Sequence, residues 1–201
     1  MSQNSSPVTL SDKMRGIFSG VTASAGRAVH KLGIHPDTIT IVGLIVVAVA
    51  AVFIAQGQML IAGVLLVISL PLDALDGAVA RAMERKDRFG AVLDSSLDRY
   101  ADGFIFGGLA YYFASIDQDG YLLLSLAALM GSFVVSYVRA RAGEADLSVK
   151  IGLFSRFERV IALLVMFFVP PLFIPALWVL AIGTNITGIQ RLWFVYRHLD
   201  K

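Results

Sequence analysis

An all-α integral membrane protein, six transmembrane helices preceded by an N-terminal amphipathic interfacial helix, is the fold class the sequence predicts, and three observations predict it. Hydrophobic residues make up 57% of the 201 positions, against roughly 45–50% in ordinary soluble domains, and the mean hydropathy is +0.73. The apolar residues gather in stretches near the ~20 residues a helix needs to cross the hydrocarbon core. The charges, which sum to only +2, are confined to particular connections.

In chain order, the opening ten residues are polar, and the first long apolar run begins only near Thr38. That is too far along for the apolar region of a signal peptide, so the N-terminus is expected to be retained. Residues 12–31 place Met14, Ile17, Phe18, Val21 and Ala25 on one face at helical spacing, with Lys13, Arg15, Arg27 and Lys31 elsewhere. This predicts an amphipathic helix on the inner leaflet, with a cap helix packed on the bundle as the alternative. Apolar stretches follow at 38–55, 59–82, 89–115, 121–142, 158–174 and 175–196, giving six spans in a single domain over 1–201. The turns at 56–58, 116–120 and 170–175 hold no Lys or Arg. All 17 basic residues fall in or near the N-terminal segment, the connections after spans two and four, or the C-terminal tail, with Arg99 somewhat inside span three. Both termini and those two connections are therefore expected on the cytoplasmic side of a cell membrane. The absence of cysteine excludes a disulfide scaffold, a thiolate nucleophile and a Cys-ligated zinc site, so any metal must be held by oxygen or imidazole.

Span two ends L-P-L-D-A-L-D-G-A-V-A-R and span three opens F-G-A-V-L-D-S-S-L-D-R, which puts Asp73, Asp76, Asp94 and Asp98 into otherwise apolar helices. Each Asp at a helix centre costs about 2.5–3.5 kcal/mol to insert, so four require compensation. Asp73, Asp76, Gly77, Ala80 and Arg81 share one helix face, as do Gly90, Asp94 and Asp98, so two acidic faces can converge across one hairpin. An arginine partner, shared protons or metal could compensate them. Arg81 neutralises one carboxylate but not four, and protonation leaves the helical register without a reason. Clustered hard oxygen donors suit Mg2+ or Mn2+, one ion or two. Gly77, Ala80 and Gly90 keep the faces bare for close approach.

The whole pattern, D-x2-D-G-x2-A-R-x8-G-x3-D-x3-D, is filled by Asp73, Asp76, Gly77, Ala80, Arg81, Gly90, Asp94 and Asp98, and it resembles the signature of the CDP-alcohol phosphotransferase family. The resemblance implies a six-helix membrane fold, homodimeric, with its site open to the cytoplasm. It implies that Asp73, Asp76, Asp94 and Asp98 ligate two Mg2+ ions that clamp the diphosphate of a CDP-activated lipid, CDP-diacylglycerol, and that Asp98 also accepts the proton. It assigns Gly77, Ala80 and Arg81 to the CDP moiety. The family's span-one entrance, T-P-N-x-V-T, reads H-P-D-T-I-T here, so Pro36, Asp37, Thr38 and Ile39 become nucleotide contacts with Asp37 in place of Asn. Asp87 stands three before Gly90, where many relatives carry a small hydroxyl residue, and both are placed at the CDP-lipid site. No nucleic-acid partner is expected.

The acceptor alcohol is a separate question, addressed by the second cytoplasmic connection and its flanks. Arg191 interrupts the apolar run T-G-I-Q-R-L-W-F-V and is costly unless it faces a polar cavity. Ser136 and Arg139 share one helix face, as do Arg156 and Arg159, and together with Arg191 they can hold a phosphate by charge-assisted hydrogen bonds. Arg141, Lys150 and Arg197 read as positive-inside loop charges. The strings S-Y-V-R-A-R-A, F-S-R-F-E-R and D-S-S-L-D-R-Y-A-D resemble the branch of the family that acts on inositol phosphate, with glycerol 3-phosphate as the alternative acceptor. Outside the class, a divalent-cation or proton transporter would need acidic residues along a path across the membrane, and here they sit near one side.

Overall fold

In a computed structural model, residues 28–29, 33–82, 89–149 and 151–199 are described, with the side chains at 73, 74, 76, 77 and 80–82 not among them. The expected interfacial helix at 12–31 lies outside the described residues except for positions 28 and 29, which are helical. All regular structure among the described residues is helical: α1 (Pro36–Ala55), α2 (Met59–Ala82), α3 (Phe89–Ser115), α4 (Asp119–Glu144), α5 (Arg156–Phe168), a 3-10 turn (Pro170–Leu172) and α6 (Phe173–His198).

Among the described residues, three helical segments are long and apolar enough to cross a membrane, Pro36–Ala55, Asp119–Glu144 and Pro170–His198, and Met59–Leu72 is a shorter apolar stretch. The expectation of six stretches near 20 residues each meets a difference at the fifth. Its helix has 13 residues, about 20 Å of rise against a hydrocarbon core of about 30 Å. Pro170 and Pro171 lack the N–H that would continue the helix, so the chain turns through a 3-10 segment instead. The boundary read at 174/175 therefore falls at Phe168 and Phe173.

Two compact units divide the chain, and both include parts of α1, α2 and α3. The first takes residues up to Gly43 and Leu70–Ser95, with Ile39, Ala78 and Val79 buried. Gly43 of α1 faces Leu72 of α2 at ordinary contact distance, the Leu72 Cβ standing 3.8 Å from where a Cβ on Gly43 would lie. The unit boundary in α2 adjoins Pro71, the proline inside that helix.

The second unit, Leu44–Ser69 and Ser96–Lys201, is built on apolar packing. Ile54, Phe106, Leu109, Met166, Leu177 and Leu180 are its largest fully buried side chains. Three of its helices stop in the same way, with an αL residue and a hydrogen bond from the following N–H back to the last turn. The αL residues are Gly57 after α1, Asp117 after α3 and Asp146 after α4, with Gln58, Gln118 and Leu147 donating to Phe53, Phe113 and Ala142. Helices α4 and α6 approach so closely that a Cβ on Gly131 would fall 2.1 Å from Thr184 Oγ1. Asn185 Nδ2 reinforces the seam by donating to the Ala127 carbonyl at 2.9 Å.

Candidate active site

The helical backbone continues through positions 73 and 76 of α2 and through 94 and 98 of α3, so both acidic registers exist as helix. The side chains of Asp73, Asp76, Gly77, Ala80 and Arg81, and the whole of Asp87, lie outside the described residues. Asp94 and Asp98 are half-buried, one turn apart on α3, with Gly90 one turn before them. The donor set these positions offer is carboxylate oxygen throughout, which matches the preference of Mg2+ and Mn2+ for hard oxygen ligands. At the entrance of α1, Pro36 and Ile39 are buried, Thr38 is exposed, and Asp37 Oδ2 lies 3.4 Å from Nδ1 of His35.

In the second unit the arginines and aspartates form a two-rung ladder between α3 and α5. Arg156 Nη2 donates to Asp98 Oδ1 at 2.8 Å, and Arg159 Nη1 to Asp102 Oδ2 at 3.3 Å. Four residues along α3 and three along α5 are each about one helical turn, which puts the rungs in register. Arg99 links the rungs, its Nη2 lying 3.8 Å from Asp98 Oδ2 and 3.6 Å from Asp102 Oδ2. The first turn of α5 is set by a capping box: the Ser155 N–H donates to Glu158 Oε2 at 2.9 Å, and the Ser155 hydroxyl also bonds that carboxylate. This local pattern starts the helix at Arg156 and so aims both arginines at α3.

Arg191 is buried, 4% exposed, and its charge is met by carbonyls: Nε donates to Ile151 O at 2.9 Å and Nη1 to Val135 O at 2.8 Å. Sequence reasoning expected a polar cavity to offset this residue; backbone oxygens of α4 and of the 145–155 connection do so. That connection is docked on α6, with the Phe154 N–H donating to Thr187 Oγ1 at 2.9 Å. Gly152 makes the close approach possible, because its φ is +127° and a Cβ would fall 2.3 Å from Thr187 Cγ2. Arg139 stands one helical turn along α4 from Val135, whose carbonyl Arg191 engages. Ser136 is half-buried one turn before Arg139 on α4. Arg141 pairs with Glu144 of its own helix on the exposed surface, as expected of a loop charge.

Asp102 and Arg99 were missed as site residues. Asp102 carries a usable signal, since it repeats the four-residue step from Asp94 to Asp98 once more and lies still deeper in an apolar helix. Its partner on α5 is 57 residues away, which no local spacing reveals.

Long apolar helices α1, α4 and α6, together with α3 and α5 and their ion-paired side chains in register, define a helical membrane protein with a charged site. Residues 33–190 match the family model for CDP-alcohol phosphatidyltransferase, and the chain belongs to that family of transferases. It is similar to the phosphatidylinositol phosphate synthase of Mycobacterium marinum, 36% identical over 192 residues, which cover 90% of this chain and 82% of the relative. The crystal structure of the Mycobacterium tuberculosis phosphatidylinositol phosphate synthase with CDP-DAG bound superposes with a TM-score of 0.83 at 32% identity, covering 90% of this chain and 97% of that one. The same enzyme in complex with manganese and citrate gives a TM-score of 0.82, covering 90% and 92%.

Proposed function

We propose that this chain is a phosphatidylinositol phosphate synthase, which transfers the phosphatidyl group of CDP-diacylglycerol to a hydroxyl of inositol 1-phosphate and releases CMP. The observation that carries the acceptor assignment is the burial of two arginines, Arg159 and Arg191, in the second unit, with Arg139 one helical turn from the Val135 carbonyl that Arg191 engages. Like charges held together in a bundle are relieved by an anion, and a phosphorylated alcohol supplies one where serine, free inositol or choline does not. The family membership and the similarity to synthases over most of both chains support the same reading.

In this reading Asp73, Asp76, Asp94 and Asp98 hold two Mg2+ ions, with Mn2+ as a substitute, and the bound ions supply charge stabilisation for the diphosphate and the departing CMP. Pro36, Asp37, Thr38, Ile39, Gly77, Ala80, Arg81, Asp87 and Gly90 line the CDP-lipid side. Asp98 receives or orients the proton of the attacking hydroxyl. Arg156 bonds Asp98 and is half-exposed, so a guanidinium facing the acceptor's phosphate would stand beside the carboxylate that takes the proton. The proposal extends to six spans, a plasma-membrane location with both termini and the site facing the cytoplasm, a single domain and a homodimer.

The test uses the purified full-length protein with CDP-diacylglycerol and Mg2+. CMP release is expected with inositol 1-phosphate and much less with glycerol 3-phosphate, serine or free inositol. Chelation should stop it, and Mg2+ or Mn2+ should restore it. Preference for glycerol 3-phosphate would overturn the acceptor assignment, and no CMP release with any alcohol would overturn the reaction.

A further inference from the structure

Asp102 is the carboxylate that the metal motif does not use. It lies one turn beyond Asp98 on α3, its side chain is 18% exposed, and both ion pairs recorded for it converge on a single oxygen, Oδ2. Arg159, 7% exposed, could not be buried without such a partner, because a lone guanidinium in an apolar bundle carries a large desolvation cost. A pair serving packing alone would be expected to spend the guanidinium fully, in the two-armed geometry arginine and carboxylate favour. Here Arg159 gives one nitrogen, at 3.3 Å, while its Nε is buried with no hydrogen-bond partner. A buried N–H left unmade is costly, and it marks a donor waiting for an acceptor that belongs to another molecule. Arg191 is met by carbonyls, and among the described residues no carboxylate pairs with it. Arg99, Arg156 and Arg159 share the two carboxylates of the ladder, Asp98 and Asp102.

We propose that Asp102 is a positioning residue for the acceptor: it grips Arg159 by one arm so that the buried Nε–H and the remaining charge are presented to the acceptor's phosphate monoester. Through Arg99, which touches both carboxylates, the same contact ties this arginine to Asp98. Acceptor phosphate and proton-accepting carboxylate are thus held on one frame, the two rungs between α3 and α5. The inference rests on the reading of the acceptor as a phosphorylated alcohol. It adds a specificity residue that neither touches the substrate nor ligates metal.

The experiment measures CMP release by the full-length protein while inositol 1-phosphate and CDP-diacylglycerol are varied in turn. Asp102→Asn is expected to raise the KM for inositol 1-phosphate about tenfold, leave that for CDP-diacylglycerol within about twofold, and keep kcat at saturating acceptor within about threefold, a tenfold change being about 1.4 kcal/mol. Asp102→Glu should recover much of the loss. Arg159→Lys keeps the charge and the ion pair but removes the Nε donor, so it should raise the acceptor KM similarly, and adding Asp102→Asn to it should change little more. An unchanged acceptor KM, a parallel rise in both KM values, or additive effects in the double variant would overturn the proposal. Should Asp102→Asn not fold, Arg159→Lys decides alone, an acceptor KM within twofold of wild type overturning it. If the wild-type protein uses only unphosphorylated alcohols, the acceptor reading falls and this inference with it; if it uses a phosphorylated one and the variants behave as wild type, only the inference falls.

Discussion

At the end of α2 and the start of α3, four aspartates fall within one helical hairpin at spacings of three and four residues, whereas Asp98 and Asp102 meet their arginines across 58 and 57 positions of the chain. The helix ends gather carboxylates along one chain segment, and in the proposed reading a divalent cation completes them. The ladder between α3 and α5 mixes signs, so its charges meet within the protein. Asp98 belongs to both patterns. The difference teaches that one helix can carry two patterns, aspartates at helical spacing near its start and aspartates paired with arginines of a distant helix further along. The proposed function reads them as a metal side and an anion side.

The sharpest way to break this comparison is at the shared residue. Asp98→Asn should lower kcat for CMP release by about 10²–10⁴-fold while CDP-diacylglycerol still binds, as read by titration of the lipid nucleotide. Turnover close to wild type would leave Asp98 an ordinary ladder residue. Arg159→Gln removes a charged donor from the anion side alone, so the acceptor KM should rise about 10–100-fold, in line with about 1.5–3 kcal/mol for a charge-assisted hydrogen bond. Its KM for CDP-diacylglycerol should stay near wild type, and steady-state kinetics in both substrates separate the two.

Arg191→Met tests whether carbonyl partners sustain the third cation. Losing the donors to Ile151 O and Val135 O should cost about 1–3 kcal/mol, visible as a lower melting temperature in detergent, together with weaker use of the acceptor. The smallest effect belongs to Arg141→Gln, since that arginine pairs with Glu144 on an exposed surface where such pairs contribute little. Melting temperature and both KM values should match wild type, and a change in the acceptor KM would extend the anion site to that loop.

Much of the helical fold was legible, as was the helical register of positions 73, 76, 94 and 98, because the signals are local. Apolar length, the basic residues in particular connections and the i, i+3 and i+4 steps among the aspartates all act within a helix, where sequence spacing is geometry. The fifth helix was overextended by the same reasoning. Apolarity runs on past Phe168, but the consecutive Pro170 and Pro171 remove backbone donors and end the helix whatever the hydropathy. Arg191 was recognised as anomalous from its apolar surroundings, yet its carbonyl partners lie 40 and 56 positions away.

By itself, then, the sequence determined the helical membrane class, the family signature and which aspartates share a helix face, since each follows from composition or from periodicity along one element. Only the tertiary structure decided that Asp98 faces Arg156, that Asp102 holds Arg159, and that Arg191 is met by backbone oxygens. These are contacts between elements, and which charge meets which depends on how distant helices pack, a quantity that no spacing along the chain encodes.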